Sequence, residues 1–135
     1  RNFSPITSKE FGTMATLEKK SFDNPDETKA PDKTLAQTVN FGTVAATRIT
    51  VQPGWSWSSC IKPHVGGDSC QAGHVGMVLK GSLRCRHDDG TEIVVTAGDA
   101  YSFAPGHDGW VEGDEEAVLY EFNNTGKTYA VWEQT

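Results

Sequence analysis

Short alternating or apolar runs, separated by turn residues at close spacing, fill the chain from residue 41 onward. Residues 45–51 alternate as far as the turn at Pro53-Gly54. Alternation with a period of two is typical of half-buried β-strands, and glycine-containing turns join such strands into hairpins. Similar runs follow over residues 74–79, 83–85, 92–95, 100–103, 110–111, 117–122 and 128–133. Because no window of useful length has helical periodicity, the pattern predicts an all-β sandwich or barrel.

The N-terminal part of the chain lacks this pattern. We expect residues 1–13 to be a remnant of cloning or a disordered extension, since they show no clear periodicity and precede Met14. Residues 14–40 are mostly polar, so we expect an extended arm with little regular structure that lies over the barrel or over a neighbouring subunit. Residues 41–135 then form the barrel domain, which is within the usual size of one domain.

Charge and cysteine content argue against several classes of protein. Lys and Arg number 12 against 18 Asp and Glu, a net charge of −6, which argues against nucleic acid or an anionic membrane surface as the main partner. The sequence contains no run of about 18 apolar residues, as a transmembrane helix would need. Three cysteines cannot form a complete disulfide framework, and Cys60 and Cys85 are interpreted as packing thiols. With no signal-peptide pattern, we expect a reducing, cytoplasmic setting.

Two segments of the chain combine an apolar run with glycine and histidine. Segment 74–83 reads HVGMVLKGSL, and segment 98–107 reads GDAYSFAPGH. These segments resemble the metal-binding motifs of cupins, which are small jelly-roll barrels. The resemblance covers about residues 41–122. It implies a cupin-type jelly-roll β-barrel, in which side chains of the two motifs point inward and hold one divalent metal, and the extended N-terminal arm precedes this barrel.

The first motif departs from the usual cupin pattern of His-x-His followed by Glu and Gly. Counting back from Gly81 places His74 at the glutamate position, Cys70 at the second histidine and Asp68 at the first. In an extended segment these positions would all face one side of the sheet. Cys70, His74 and Asp68 are therefore candidate metal ligands. The alternatives are that the cysteine fills space in the core and that Asp68 caps a turn.

The second motif departs from the pattern as well. Ala104 stands at the usual proline position, and Gly109 falls where the histidine ligand is expected. We expect His107 to replace that ligand, because positions 107 and 109 of an extended strand face the same way. His64 is a further candidate ligand at the mouth of the barrel, with a plain loop position as the alternative. Thiolate and imidazole ligands favour zinc, iron or copper over magnesium or calcium.

Aromatic residues near both motifs could form the wall of a ligand site. Trp55 and Trp57 are two apart and would share a face of a short strand, and Trp110 lies near the second motif. These are candidate binding residues for a planar or sugar-like ligand, with packing in the core or in a dimer interface as the alternative. Tyr101 has the parity of His107 and is a candidate catalytic residue that donates a hydrogen bond to a bound ligand.

These candidates support three hypotheses of function. The first is a metal-dependent enzyme that acts on a small polar molecule inside the barrel, with the metal as a Lewis acid or as the activator of bound water or dioxygen. The second is a non-catalytic sensor or binding module for a small molecule or a carbohydrate. The third is a barrel that a metal merely stabilises. Open sheet edges and the arm favour a homodimer.

Overall fold

Antiparallel β-sheets and two one-turn helices make up the described part of the chain. The computed structural model describes residues 16–124 of the 135 residues, so the expectations for residues 1–13 and 128–133 lie outside this range. The strands are β1 (Glu27–Lys29), β2 (Thr34–Asn40), β3 (Val44–Val51), β4 (His74–Lys80), β5 (Ser82–His87), β6 (Glu92–Thr96), β7 (Ala100–Phe103), β8 (His107–Val111) and β9 (Ala117–Asn124). The helices are α1 (Trp57–Cys60) and α2 (Lys62–Val65). The prediction of an all-β protein is confirmed.

The strands form two sheets that enclose one core. The larger sheet has six strands in the order β1-β2-β3-β9-β4-β7, and the smaller has three in the order β6-β5-β8. The paired strands are antiparallel. The buried members of the core come from both sheets and are Val51, Val78, Leu83, Cys85, Val95, Tyr101, Phe103, Val111, Ala117 and Leu119. Two sheets with their apolar faces packed together give the sandwich arrangement of a jelly roll.

A glycine stands where the chain leaves one sheet for the other. β4 belongs to the larger sheet and β5 to the smaller, and Gly81 with a φ of 74° separates them. A Cβ at this position would lie 2.9 Å from the Cα of Ala117. The crossing therefore needs glycine both for its backbone conformation and for the close approach of β9.

The N-terminal arm is more regular than the sequence indicates. β2 lies within the predicted arm, yet it pairs with β3 along its whole length. The inward positions of β2 carry Thr34, Ala36 and Thr38, so its alternation is hard to recognise in sequence, while backbone pairing is independent of side-chain polarity. Before β1, Phe22 packs edge-on against Tyr120 with 5.3 Å between ring centroids. This part of the arm thus lies over the outer face of the larger sheet.

The predicted strand through Trp55 and Trp57 is wrong, because a helix begins there. Oγ of Ser56 accepts a hydrogen bond from the backbone N–H of Ser59 at 3.0 Å, which is the usual N-cap arrangement. Pro63 stands in the first turn of α2, a position that suits its missing N–H. Within residues 16–124, no helix is long and apolar enough to cross a bilayer.

Candidate metal centre and its cavity

Three potential metal ligands meet where β4, β8 and the loop before β4 come together. His74 is the first residue of β4, and His107 is the first residue of β8. Cys70 forms an isolated bridge to β8, in which its N–H donates to the His107 carbonyl at 2.7 Å. The Sγ of Cys70 and one ring nitrogen of each histidine all lie within 4.8 Å of one another. The structure therefore brings three of the predicted ligands together.

Each histidine is held in place through its Nδ1 atom. Nδ1 of His74 lies 2.8 Å from Oε1 of Glu121, and Nδ1 of His107 lies 2.7 Å from the carbonyl oxygen of Ala104. Because both oxygens accept hydrogen bonds, each Nδ1 carries a proton and donates it. Nε2 of His74 faces Cys70, 3.6 Å from Sγ. Metal-binding histidines typically have this arrangement, since donation from one ring nitrogen orients the other toward the metal.

Glu121 is the residue of this site that the sequence analysis did not identify. Its Oε1 accepts from His74, and its Oε2 accepts from the Tyr101 hydroxyl at 2.6 Å. β9 places Glu121 on the same inward face as the buried Ala117 and Leu119, so a carboxylate interrupts an apolar row. A charged residue at an inward position of a strand is the signal that could have identified it.

The hydroxyl group of Tyr101 is hydrogen-bonded within the protein. Besides the bond to Glu121, its ring stacks on Phe103 with 4.3 Å between centroids. Gly76 makes room for this arrangement, since a Cβ there would lie 2.8 Å from the Tyr101 hydroxyl oxygen. Tyr101 therefore positions Glu121, and the direct contact with a ligand that its parity predicts stays a prediction.

The buried groups of the site shift one another's pKa values. Burial opposes ionisation of the Cys70 thiol, but hydrogen bonds from His107 and His74 outweigh it and lower its pKa from 9.0 to about 6. Burial opposes the charging of His74 as well, yet its bonds to Cys70 and Glu121 raise its pKa to about 10. Burial alone would raise the pKa of Glu121, and the bond to His74 lowers it instead. Without a metal, protonated His74 thus lies between a thiolate and a carboxylate.

The donor set fits a transition metal. In a tetrahedral zinc site, sulfur lies about 2.3 Å and nitrogen about 2.0–2.1 Å from the metal, which places the two about 3.6 Å apart. The observed separation of Cys70 Sγ and His74 Nε2 is 3.6 Å. One thiolate and two imidazoles suit zinc, iron or copper, and three protein ligands are typical of catalytic zinc sites.

A cavity of about 480 Å³ adjoins this group, and all three donor residues line it. Its other walls come from both sheets and from the segment of the two short helices. The apolar wall residues include Ile49, Val51, Leu83, Phe103 and Leu119. Trp55 and Trp57 line the cavity as well, although they do not share a strand. Nε1 of Trp55 is buried and has no hydrogen-bond partner within residues 16–124.

Three predicted site residues lie outside the metal group. His64 is exposed on α2 and lines the cavity outside the cluster, so its role as a ligand stays a prediction. Asp68 is exposed in the loop before β4 and does not join the cluster either, because the chain is not a continuous strand there. Trp110 alternates with the buried residues of β8, so its ring faces away from the cavity, and Arg86 lies over it at 5.8 Å. Trp110 is not among the residues that line the cavity, and its role in ligand binding stays a prediction.

Several solved structures resemble this one. Oxalate decarboxylase from Lactobacillus farciminis, in a formate complex, aligns with a TM-score of 0.58 and 14% identity over 85% of this chain and 36% of that chain. Fe(II) HppE aligns with a TM-score of 0.56 and 11% sequence identity, over 80% of this chain and 60% of that chain. A cupin-like protein from Thermotoga maritima aligns with a TM-score of 0.49 and 14% sequence identity, over 68% of each chain. No family model matches the chain, and no curated protein is significantly similar to it.

The architecture is that of a jelly-roll barrel whose interior carries a cluster of potential metal ligands. The chain has the cupin fold, as the resemblance of its two motifs predicts. At identities this low the similarities describe the fold alone. The chain also spans only 36% of the oxalate decarboxylase and 60% of HppE.

Proposed function

We propose that this chain is a metal-dependent enzyme whose centre is one divalent transition metal held by Cys70, His74 and His107. The observation that carries the proposal is the convergence of two imidazoles on one thiol sulfur, each imidazole fixed by a hydrogen bond from its other nitrogen. Zinc, iron and copper all suit these ligands. When bound, such a metal supplies Lewis-acid polarisation of a substrate or activation of water or dioxygen.

The surrounding residues prepare the site for this chemistry. Glu121 holds His74 in the tautomer whose Nε2 faces the sulfur, and Tyr101 holds Glu121 in turn. The adjoining cavity offers a substrate a mostly apolar space, in which electrostatic interactions are stronger than in bulk water. In line with this proposal, Fe(II) HppE shows that a protein of this fold holds iron.

Metal analysis of the purified chain tests the proposal directly. The wild type should retain one equivalent of metal after dialysis, and Cys70→Ser or His107→Ala should lose most of it while the far-ultraviolet circular dichroism spectrum stays unchanged. The matched control is His64→Ala, which removes a histidine that lines the same cavity outside the cluster. A wild type that binds no stoichiometric metal from added zinc, iron or copper would overturn the proposal.

A second candidate function is a binding module without catalysis. The cavity of about 480 Å³, with Trp55 and Trp57 in its wall, favours this candidate independently of the metal group. A ligand that binds only the folded state raises the melting temperature, so a binding module would show this shift in the presence of EDTA as well. If EDTA abolishes the shift, the metal takes part in binding and the enzyme proposal is favoured.

A further inference from the structure

We infer that the cavity takes a ligand with an apolar body and one polar head group directed at the Cys70–His74–His107 cluster, in preference to a sugar or polyol. The position of the head group rests on the proposed function. The apolar body rests on the cavity wall alone, so the two parts can fail separately.

The wall of the cavity is apolar over most of its extent. Ile49 and Leu119 contribute from the inner face of the larger sheet, and Leu83 contributes from the smaller sheet. Trp55, just before α1, and Trp57, its first residue, add two large aromatic surfaces. The volume of about 480 Å³ lies within the range of about 300–1,000 Å³ that is usual for small-molecule sites. The space thus suits a compact apolar group such as a ring.

Several polar groups along the wall already have partners within the protein. Both carboxylate oxygens of Glu121 accept hydrogen bonds, from His74 and from Tyr101. The hydroxyl of Thr34 donates to a backbone carbonyl at 2.8 Å. Nε1 of Trp55 lacks a partner within residues 16–124, but it is covered by neighbouring atoms and does not face the space. A ligand rich in hydroxyl groups would find few hydrogen bonds here.

This arrangement discriminates strongly between ligand classes. A hydroxyl group that loses its hydrogen bonds to water without replacing them weakens binding by about tenfold or more. A methylene group that enters the same space strengthens binding by about fourfold. The binding affinities of a sugar acid and an apolar acid of the same ring size should therefore differ by several orders of magnitude, even when their carboxylates bind equally well.

The test compares cyclohexanecarboxylate with glucuronate, which share a six-membered ring and a carboxylate and differ in the hydroxyl groups and the ring oxygen of the sugar. Isothermal titration calorimetry of the zinc-loaded chain should show cyclohexanecarboxylate binding at least a hundredfold more tightly than glucuronate. Equal affinities, tighter binding of glucuronate, or no binding of cyclohexanecarboxylate would each overturn the inference. Lys29→Ala checks the direction of the ligand, because Lys29 also lines the cavity and could pair with a carboxylate. Affinity should be unchanged in this variant, and a tenfold loss would overturn the head-group assignment.

A cavity-filling variant locates the binding site. Ala36 of β2 lines the cavity, so Ala36→Phe should weaken the binding of cyclohexanecarboxylate at least tenfold without changing the zinc content of the chain. The matched control is Leu35→Phe, which adds the same ring to the exposed face of the same strand. If Ala36→Phe fails to fold, quenching of wild-type tryptophan fluorescence by 4-bromobenzoate replaces it. Quenching should fall by half or more in Trp57→Phe, and equal quenching would place the ligand elsewhere.

Repeating the titration in EDTA separates this inference from the proposed function. If 4-bromobenzoate binds to the metal-free chain, the inference that the ligand has an apolar body stands even if the wild type proves to hold no metal. A chain that binds zinc in the wild type and loses it in Cys70→Ser, yet rejects every apolar acid, would overturn only the inference about the ligand.

Discussion

Two buried cysteines of this chain lie in contrasting surroundings. Cys70 at the cavity is 9% exposed and Cys85 in the core is 5% exposed, so burial does not distinguish them. Burial raises the pKa of Cys85 to about 12, and the negative charges of Asp108 and Cys70 add to this effect. Burial acts in the same direction on Cys70, but two imidazoles reverse it and lower the pKa to about 6. Neighbours rather than depth decide which thiol can ionise.

The comparison extends from the two thiols to the two regions. The core around Cys85 is made of apolar side chains from both sheets, which stabilise the fold by being removed from water. The region around Cys70 concentrates a thiol, two imidazoles, a carboxylate and a phenol within the same barrel. Burying such a cluster of ionisable groups costs stability, and perturbed pKa values are most common at functional sites.

The largest expected difference between the two cysteines is in reactivity. In the chelated, metal-free chain at pH 7, iodoacetamide should modify Cys70 about a hundredfold or more faster than Cys85, because Cys70 is mostly thiolate at this pH and the thiolate is the reacting species. Mass spectrometry of tryptic peptides after timed labelling measures both rates. Adding zinc should protect Cys70. Equal rates for the two cysteines, or no protection by zinc, would contradict the conclusion that neighbouring groups make Cys70 the more readily ionised thiol.

The next effect concerns the carboxylate that orients His74. Once affinities are corrected for the proton that His74 loses on binding, Glu121→Gln should weaken zinc binding by about 10–100-fold, the usual cost of removing a partner of a metal-binding histidine. Tyr101→Phe should weaken zinc binding less, because the Tyr101 hydroxyl bonds to Glu121 and reaches His74 only through that carboxylate. Competition with a chromophoric chelator gives both affinities. An unchanged affinity in Glu121→Gln would mean that the hydrogen bond does not orient the ligand.

Local spacing explains why the sequence predicts some of this site and not the rest. His74 and His107 belong to recognisable strand motifs, and the parity of their strands correctly directs them inward. Cys70 meets them through its bridge to β8 rather than through the continuous strand that the spacing predicts. Glu121 is 47 positions beyond His74, and only the pairing of β4 with β9 brings the two together. Long-range pairing of this kind leaves no local pattern in the chain.

The fold could be predicted further than the site. The runs from 74 to 122 correspond to strands of the structure, because short runs rich in apolar and β-branched residues between turn residues are typical of strands. The polar strand β2 and the short helix α1 could not be predicted in the same way. Backbone pairing forms the first, and a single serine cap begins the second.

The third prediction is a rise of metal affinity with pH. The pKa of His74 is raised to about 10, so His74 must lose a proton to bind a metal below that pH, whereas Cys70, with a pKa lowered to about 6, is already a thiolate above pH 6. Zinc affinity should therefore increase about tenfold per pH unit between pH 7 and pH 9. Below pH 6 the slope should steepen, because Cys70 then releases a proton as well.

Affinity measured against a chelator of known pH dependence checks this slope. Glu121→Gln is the informative variant, since it removes a carboxylate that raises the pKa of His74. Its profile should level off at lower pH than that of the wild type. A flat wild-type profile between pH 7 and pH 9 would show that His74 is already neutral in the metal-free chain.

The smallest expected effect is on the stability of the core. Cys85→Ser should lower the free energy of unfolding by about 1–3 kcal/mol, because it buries a hydroxyl group among apolar side chains. Cys60→Ser is the matched control. Cys60 is buried too, but Ser59 and Asp32 have oxygen atoms 3.5 and 3.9 Å from its sulfur, so a hydroxyl there has hydrogen-bond partners nearby. Urea denaturation of both variants should show the greater loss for Cys85→Ser, and equal losses would mean that the core around Cys85 tolerates a polar group as well as the α1 segment does.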